Sequence, residues 1–140
     1  MEAVLSKSPV ARVTHSKIKY RAGVALSALP VLFLLFDSVI KVIEIAPVAQ
    51  SFAQLGYPIA LARGLGLLEL LCVAVYAIPR TAVLGAILLT GFLGGAISTH
   101  LRVGDPLFSH TVFPVYVALM VWGGLYLRDD SVRALLPLRK

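Results

Sequence analysis

An all-α membrane protein, a four-transmembrane-helix up-down bundle, is the fold class this sequence predicts. Three observations predict it. Of 140 residues, 59% are hydrophobic and only 14% are charged, against roughly 25% charged in soluble domains. Apolar stretches recur four times, each near the ~20 residues that cross a bilayer. The formal net charge of +6 comes from basic residues that flank those stretches, which reads as a topology signal and argues against nucleic acid as a partner. The domain plan is a basic cytoplasmic tail over residues 1–21, a membrane domain over 22–127 and a charged cytoplasmic tail over 128–140.

The tail carries Lys7, Arg12, Lys17, Lys19 and Arg21 against the single acid Glu2. A short helix on the membrane surface is one form it can take. Its following apolar stretch is longer than the 7–15 residues of a cleavable signal core, so it reads as a retained span. That first span covers about 22–46. The uncharged part, Ala22–Phe36, is too short to cross alone, so Asp37 and Lys41 belong to its outer part, with Glu44 nearer the surface. Asp37 and Lys41 stand at i, i+4 and Lys41 and Glu44 at i, i+3, one helix face for all three. Pro30 is the place for a kink.

Residues 47–58 form an uncharged loop whose Phe52, Leu55 and Tyr57 predict an interfacial segment or a short folded-back helix. The second span is about 59–78. Pro79-Arg80-Thr81 is the tight connection, with Thr81 as N-cap of the third span, 82–100. Ala82, Ala86, Thr90, Gly94 and Ser98 repeat every four residues beside Gly91 and Gly95. Small-residue rows let helix backbones approach closely in lipid, so the third span is predicted to be central and most enclosed. A short polar loop with Arg102, Asp105 and His110 leads to the fourth span, 111–127, where Trp122 and Tyr126 are placed as inner interfacial anchors.

Orientation follows from the basic residues. Five lie in the N-terminal tail, then come Arg80, Arg128, Arg133, Arg139 and Lys140, while the two opposite loops hold only Arg102. The positive-inside rule puts both termini in the cytoplasm. Asp37, Lys41, Arg63, Glu69 and His100 then all fall in the outer half or near the midplane, which points to a shared pocket opening outward. Snorkelling to water accounts for Arg63 and Glu44 and can extend to Lys41. It does not account for Glu69, about ten residues from either end of its span.

Glu69 is therefore the residue around which function is sought, because an ionisable group inside the bilayer ordinarily faces a partner or a wet cavity. It shares a face with Gly66, Cys72, Val73 and Tyr76, and Gly66 leaves room one turn outward. Lys41 is the most economical counter-charge, and His100 is within the same half to bond either. A structural ion pair and a proton-transfer site both fit this trio. Cys72 is the sole cysteine, so no disulfide or Cys-x-x-Cys pair forms within the chain. No His-x-x-x-His or Glu-x-x-His spacing suggests a metal, and no nucleotide or hydrolase motif is present.

One ordered set of residues carries a resemblance. A first-span Lys41 is followed by Leu55-Gly-Tyr-Pro58, by Gly66-Leu-Leu-Glu69, and by Ser98-Thr-His100 with Arg102-Val-Gly-Asp-Pro106 after it. This resembles the DoxX-like family of small four-span bacterial membrane proteins, over about residues 32–127. The resemblance implies a multi-pass inner-membrane protein in which Lys41, Glu69 and His100 match the recurrent polar positions. Asp37 and Arg63 fall where the family pattern has no fixed charge. The family takes its name from a subunit associated with a thiosulfate:quinone oxidoreductase, so the resemblance implies a quinone-linked redox system and a membrane redox partner.

Three function classes follow. The first is an accessory or subunit of a redox system, with Glu69 accepting a proton, Lys41 holding its charge and His100 at the outer mouth. The second is an assembly or scaffold protein whose Lys41–Glu69 pair fixes helix register and whose small-residue span packs within or between copies, a homo-oligomer. The third is a small transporter or permeability factor, for which no inverted repeat is visible.

Overall fold

Helix α1 (Pro9–Ile43) is 35 residues long, roughly 52 Å at 1.5 Å per residue, and exceeds the ~30 Å hydrocarbon thickness. The structure, a computed structural model, describes residues 9–136, with side chains from Ser16 onward. Lys7, Arg139 and Lys140 of the charge bias lie outside the described residues. The basic segment from Pro9 to Arg21 is continuous with the first span instead of forming a separate surface helix, because no Gly or Pro interrupts it. The helix also passes unbroken through the buried Pro30.

Glu44 ends α1 with a left-handed backbone (φ 54°), a turn that a non-glycine residue adopts at a cost. The chain folds into α2 (Ala46–Gln54), which buries Val48 and Phe52. The folded-back helix is thus the form the uncharged loop takes. Helices α3 (Ala60–Ala77), α4 (Ala82–Val103) and α5 (Phe113–Arg128) follow, and a short α6 (Asp130–Leu135) closes the described chain. Four segments are long and apolar enough to cross a membrane: Ser16–Ile43, Ala60–Ala77, Pro79–Val103 and Leu107–Arg128. The protein is an integral, all-α, multi-pass bundle.

The helices form a square in which α1 packs on α3 and α5, and α4 packs on those same two from the opposite corner. Pairing is antiparallel throughout: Ser38 meets Gly66 and Ser27 meets Tyr76 between α1 and α3, and Thr90 meets Trp122 between α4 and α5. One end of the bundle holds the start of the first span and the end of α5, and is basic. The other holds α2 and the turn between α4 and α5.

The third span is not the most enclosed. Ala82, Gly85, Ala86, Leu89 and Leu93 of α4 are buried, but a Cβ on Gly91, Gly94 or Gly95 would meet nothing within 4 Å. The close approaches lie at other glycines. At Gly124 a Cβ would fall on the Ser27 hydroxyl, and at Gly66 it would lie 2.8 Å from the Ser38 carbonyl. Small size matters where a second backbone lies opposite, and outer α4 has none. One local expectation also changes. Thr81 holds the N-cap position of α4 but donates its hydroxyl to the Val75 carbonyl at 2.8 Å, closing the end of α3. Trp122 donates its indole N–H to Thr90 at 2.9 Å, so its polar edge ties α5 to α4.

Candidate functional site

Side chains on a helix lean toward its N-terminus. In an antiparallel pair this brings Lys41, near the end of α1, and Glu69, nine residues into α3, toward one another. Lys41 leans down over Asp37 and Glu69 leans up. The Lys41 ammonium donates to Glu69 Oε2 at 2.8 Å and to Asp37 Oδ2 at 2.5 Å. It also lies 5.5 Å from the centre of the Phe92 ring of α4, so a third helix covers the cluster with an aromatic face.

Exposure grades through the three. Glu69 is 0% exposed, Lys41 18% and Asp37 30% as side chains. One ammonium thus links a fully enclosed carboxylate to one that reaches the surface of the bundle. The Glu69 carboxylate is half satisfied: Oε2 accepts from Lys41, while Oε1 is buried with no hydrogen-bond partner among the described residues. A buried acceptor without a donor loses the hydration it would have in water. An O–H or N–H group brought to Oε1 recovers that loss. The cluster also sets two carboxylates against one ammonium, in a low-dielectric setting where unbalanced charge is costly.

The space expected beside Gly66 is taken by α1: a Cβ there would come 2.9 Å from Lys41 Cβ. Gly66 therefore serves helix approach, and it is this approach that lets Lys41 reach Glu69. Cys72, one turn below Glu69, is a buried free thiol. Arg63 pairs with Glu44 at 3.2 Å and is largely exposed, outside the cluster.

His100 is held elsewhere. Its Nδ1 lies 2.5 Å from Asp105 Oδ2, and its ring is 5.9 Å from that of His110. Gly104, left-handed at φ 74°, ends α4 and turns Asp105 back onto His100. His100 stands eight residues beyond Phe92, roughly 12 Å along the helix, and makes no hydrogen bond with Lys41 or Glu69 among the described residues. Nearby, Tyr57 bonds Thr99 at 3.1 Å, and Arg102 donates to the Leu55 carbonyl and lies over the Tyr57 ring. These contacts fasten the α2 segment across the same end of the bundle. Asp37, placed on the Lys41 face by its i, i+4 spacing, joins the cluster, whereas Asp105 is the partner that sequence reasoning missed; a glycine between a helix-ending His and an Asp signals it.

A comparison with protein-family models finds the DoxX-like family over residues 25–124. No curated protein and no solved structure matches the chain.

Proposed function

The chain belongs to the DoxX-like family, and from that premise and the Asp37–Lys41–Glu69 cluster we propose that it is an accessory or subunit of a quinone-linked redox system of the bacterial inner membrane. The observation that carries this reading is the unpartnered Oε1 of the enclosed Glu69. Glu69 is the proton-accepting group, and it takes the hydroxyl hydrogen of a reduced quinone-type ligand. Lys41 holds the carboxylate in place from its other oxygen. Asp37, the most exposed of the three, exchanges protons with the surroundings. His100 and Asp105 stand at the outer mouth. Both termini face the cytoplasm, so the cluster lies in the outer half of the bilayer. A partner enzyme supplies the thiol or electron-transfer chemistry that a lone, buried Cys72 does not. Titrating the purified protein with a short-chain quinol tests this. Saturable binding, weakened tenfold or more in Glu69→Gln, is the expected result; no binding removes the reading.

The close fit of α1 against Gly66 favours one second reading, a non-catalytic assembly protein in which the Lys41–Glu69 pair sets the register of α1 on α3. Under it, a Lys41→Met/Glu69→Leu double variant keeps full activity in cells.

A further inference from the structure

The cations at the two ends of the bundle are treated differently by the fold. At the α2 end each is engaged: Lys41 by Asp37 and Glu69, Arg63 by Glu44, and Arg102 by the Leu55 carbonyl and the Tyr57 ring. At the basic end Lys17, Lys19 and Arg21 are exposed on α1 and Arg80 is exposed between α3 and α4. None of these, nor Arg128, has a salt-bridge partner among the described residues. The acids there are committed: Asp129 accepts from Ser131, and Asp130 pairs with Arg133.

Arg128 is the built part of this region. Its backbone and Cβ lie against Gly23 of α1, and its guanidinium lies 5.4 Å from the centre of the Tyr76 ring of α3. Tyr76 is itself fixed by hydrogen bonds to Ser27 and the Val121 carbonyl. Three helices thus hold one guanidinium at their seam. Its Nε is buried without an acceptor among the described residues. The terminal N–H groups of this planar donor fork, on a side chain that is only partly buried, suit a phosphate oxygen. Lys19 lies one turn before Gly23 on the same stripe of α1, with Tyr20 beside it.

We propose that the α1–α3–α5 seam at the basic end binds the headgroup phosphate of an anionic phospholipid. Arg128 contacts the phosphate, and Lys17, Lys19 and Arg21 supply the surrounding positive field. The seam lies where the apolar spans give way to charged residues, the depth of headgroups in a bilayer. Clustered cations at that depth select net-negative lipids over zwitterionic ones. This site stands apart from the Glu69 cluster and does not depend on its function.

Native mass spectrometry of the purified full chain, offered equal amounts of phosphatidylglycerol and phosphatidylcholine, tests it. The expected result is retention of phosphatidylglycerol with a preference on the order of tenfold, lost in Arg128→Gln and reduced in Lys17→Gln/Lys19→Gln/Arg21→Gln. The triple variant alters only exposed side chains and decides the matter if Arg128→Gln does not fold. Equal retention of both lipids, or an undiminished preference in the folded variants, overturns the proposal. Displacement of the lipid by millimolar inorganic phosphate overturns the lipid as the occupant.

Discussion

At the scale of single residues, the Lys41–Glu69 contact has an asymmetric energetic signature. Removing one partner leaves the other charge enclosed without compensation, which costs about 3–5 kcal/mol in buried pairs, whereas replacing both with apolar groups is often neutral or better. Lys41→Met is therefore expected to lower stability by roughly that amount. Lys41→Met/Glu69→Leu should return it to within about 1 kcal/mol of the parent. Thermal unfolding in detergent measures both. A cycle in which the two single losses simply add would show that the groups do not interact. Asp37 complicates the single variants usefully. With Lys41 gone, two carboxylates remain near one another, so Lys41→Met should be harsher than Glu69→Gln, which leaves the Lys41–Asp37 pair in place.

Elements meet at glycines, and the glycines are not equivalent. Gly124→Ala puts a methyl on the Ser27 hydroxyl at the α1–α5 seam, an overpacking expected to cost about 1–3 kcal/mol. Gly95→Ala meets nothing within 4 Å and should be neutral or stabilising by up to ~1 kcal/mol, since alanine is the better helix former. Unfolding of the two variants side by side checks the contrast. Helix α6 gives a pH prediction. Asp129 is its N-cap and accepts from the Ser131 hydroxyl and N–H, and these bonds hold its carboxyl below the usual carboxylate range. A depressed folded-state value contributes stability above the unfolded value, and that contribution is lost as pH falls through the folded one. Protection of the α6 amides, relative to their intrinsic exchange rates, should fall selectively below about pH 4, and Asp129→Ala should reduce that pH dependence to the part carried by the Asp130–Arg133 pair.

For the whole molecule, the up-down topology and the four spans were legible because length and apolar composition alone require them in a bilayer. So was the Lys41–Glu69 contact: a lone acid deep in an apolar helix must find a partner, and few cations were at its depth. The arrangement of helices was less legible. The α4 rows of small residues predicted enclosure, yet spacing within one helix does not say which neighbour comes near, and the approaches formed at Gly23, Gly66, Gly85 and Gly124 instead. The hydrogen-bond partner of His100 was hidden for a similar reason. Asp105 is reached only through the left-handed turn at Gly104, a chain reversal that helix periodicity does not describe. What unites these scales is one enclosed carboxylate, held at one oxygen and open at the other. Infrared difference spectroscopy on adding a short-chain quinol tests that most directly. The account predicts a ligand-induced change in a carboxyl band that is absent in Glu69→Gln. Quinol binding that leaves every carboxyl band unmoved, or the same band change in Glu69→Gln, would contradict it.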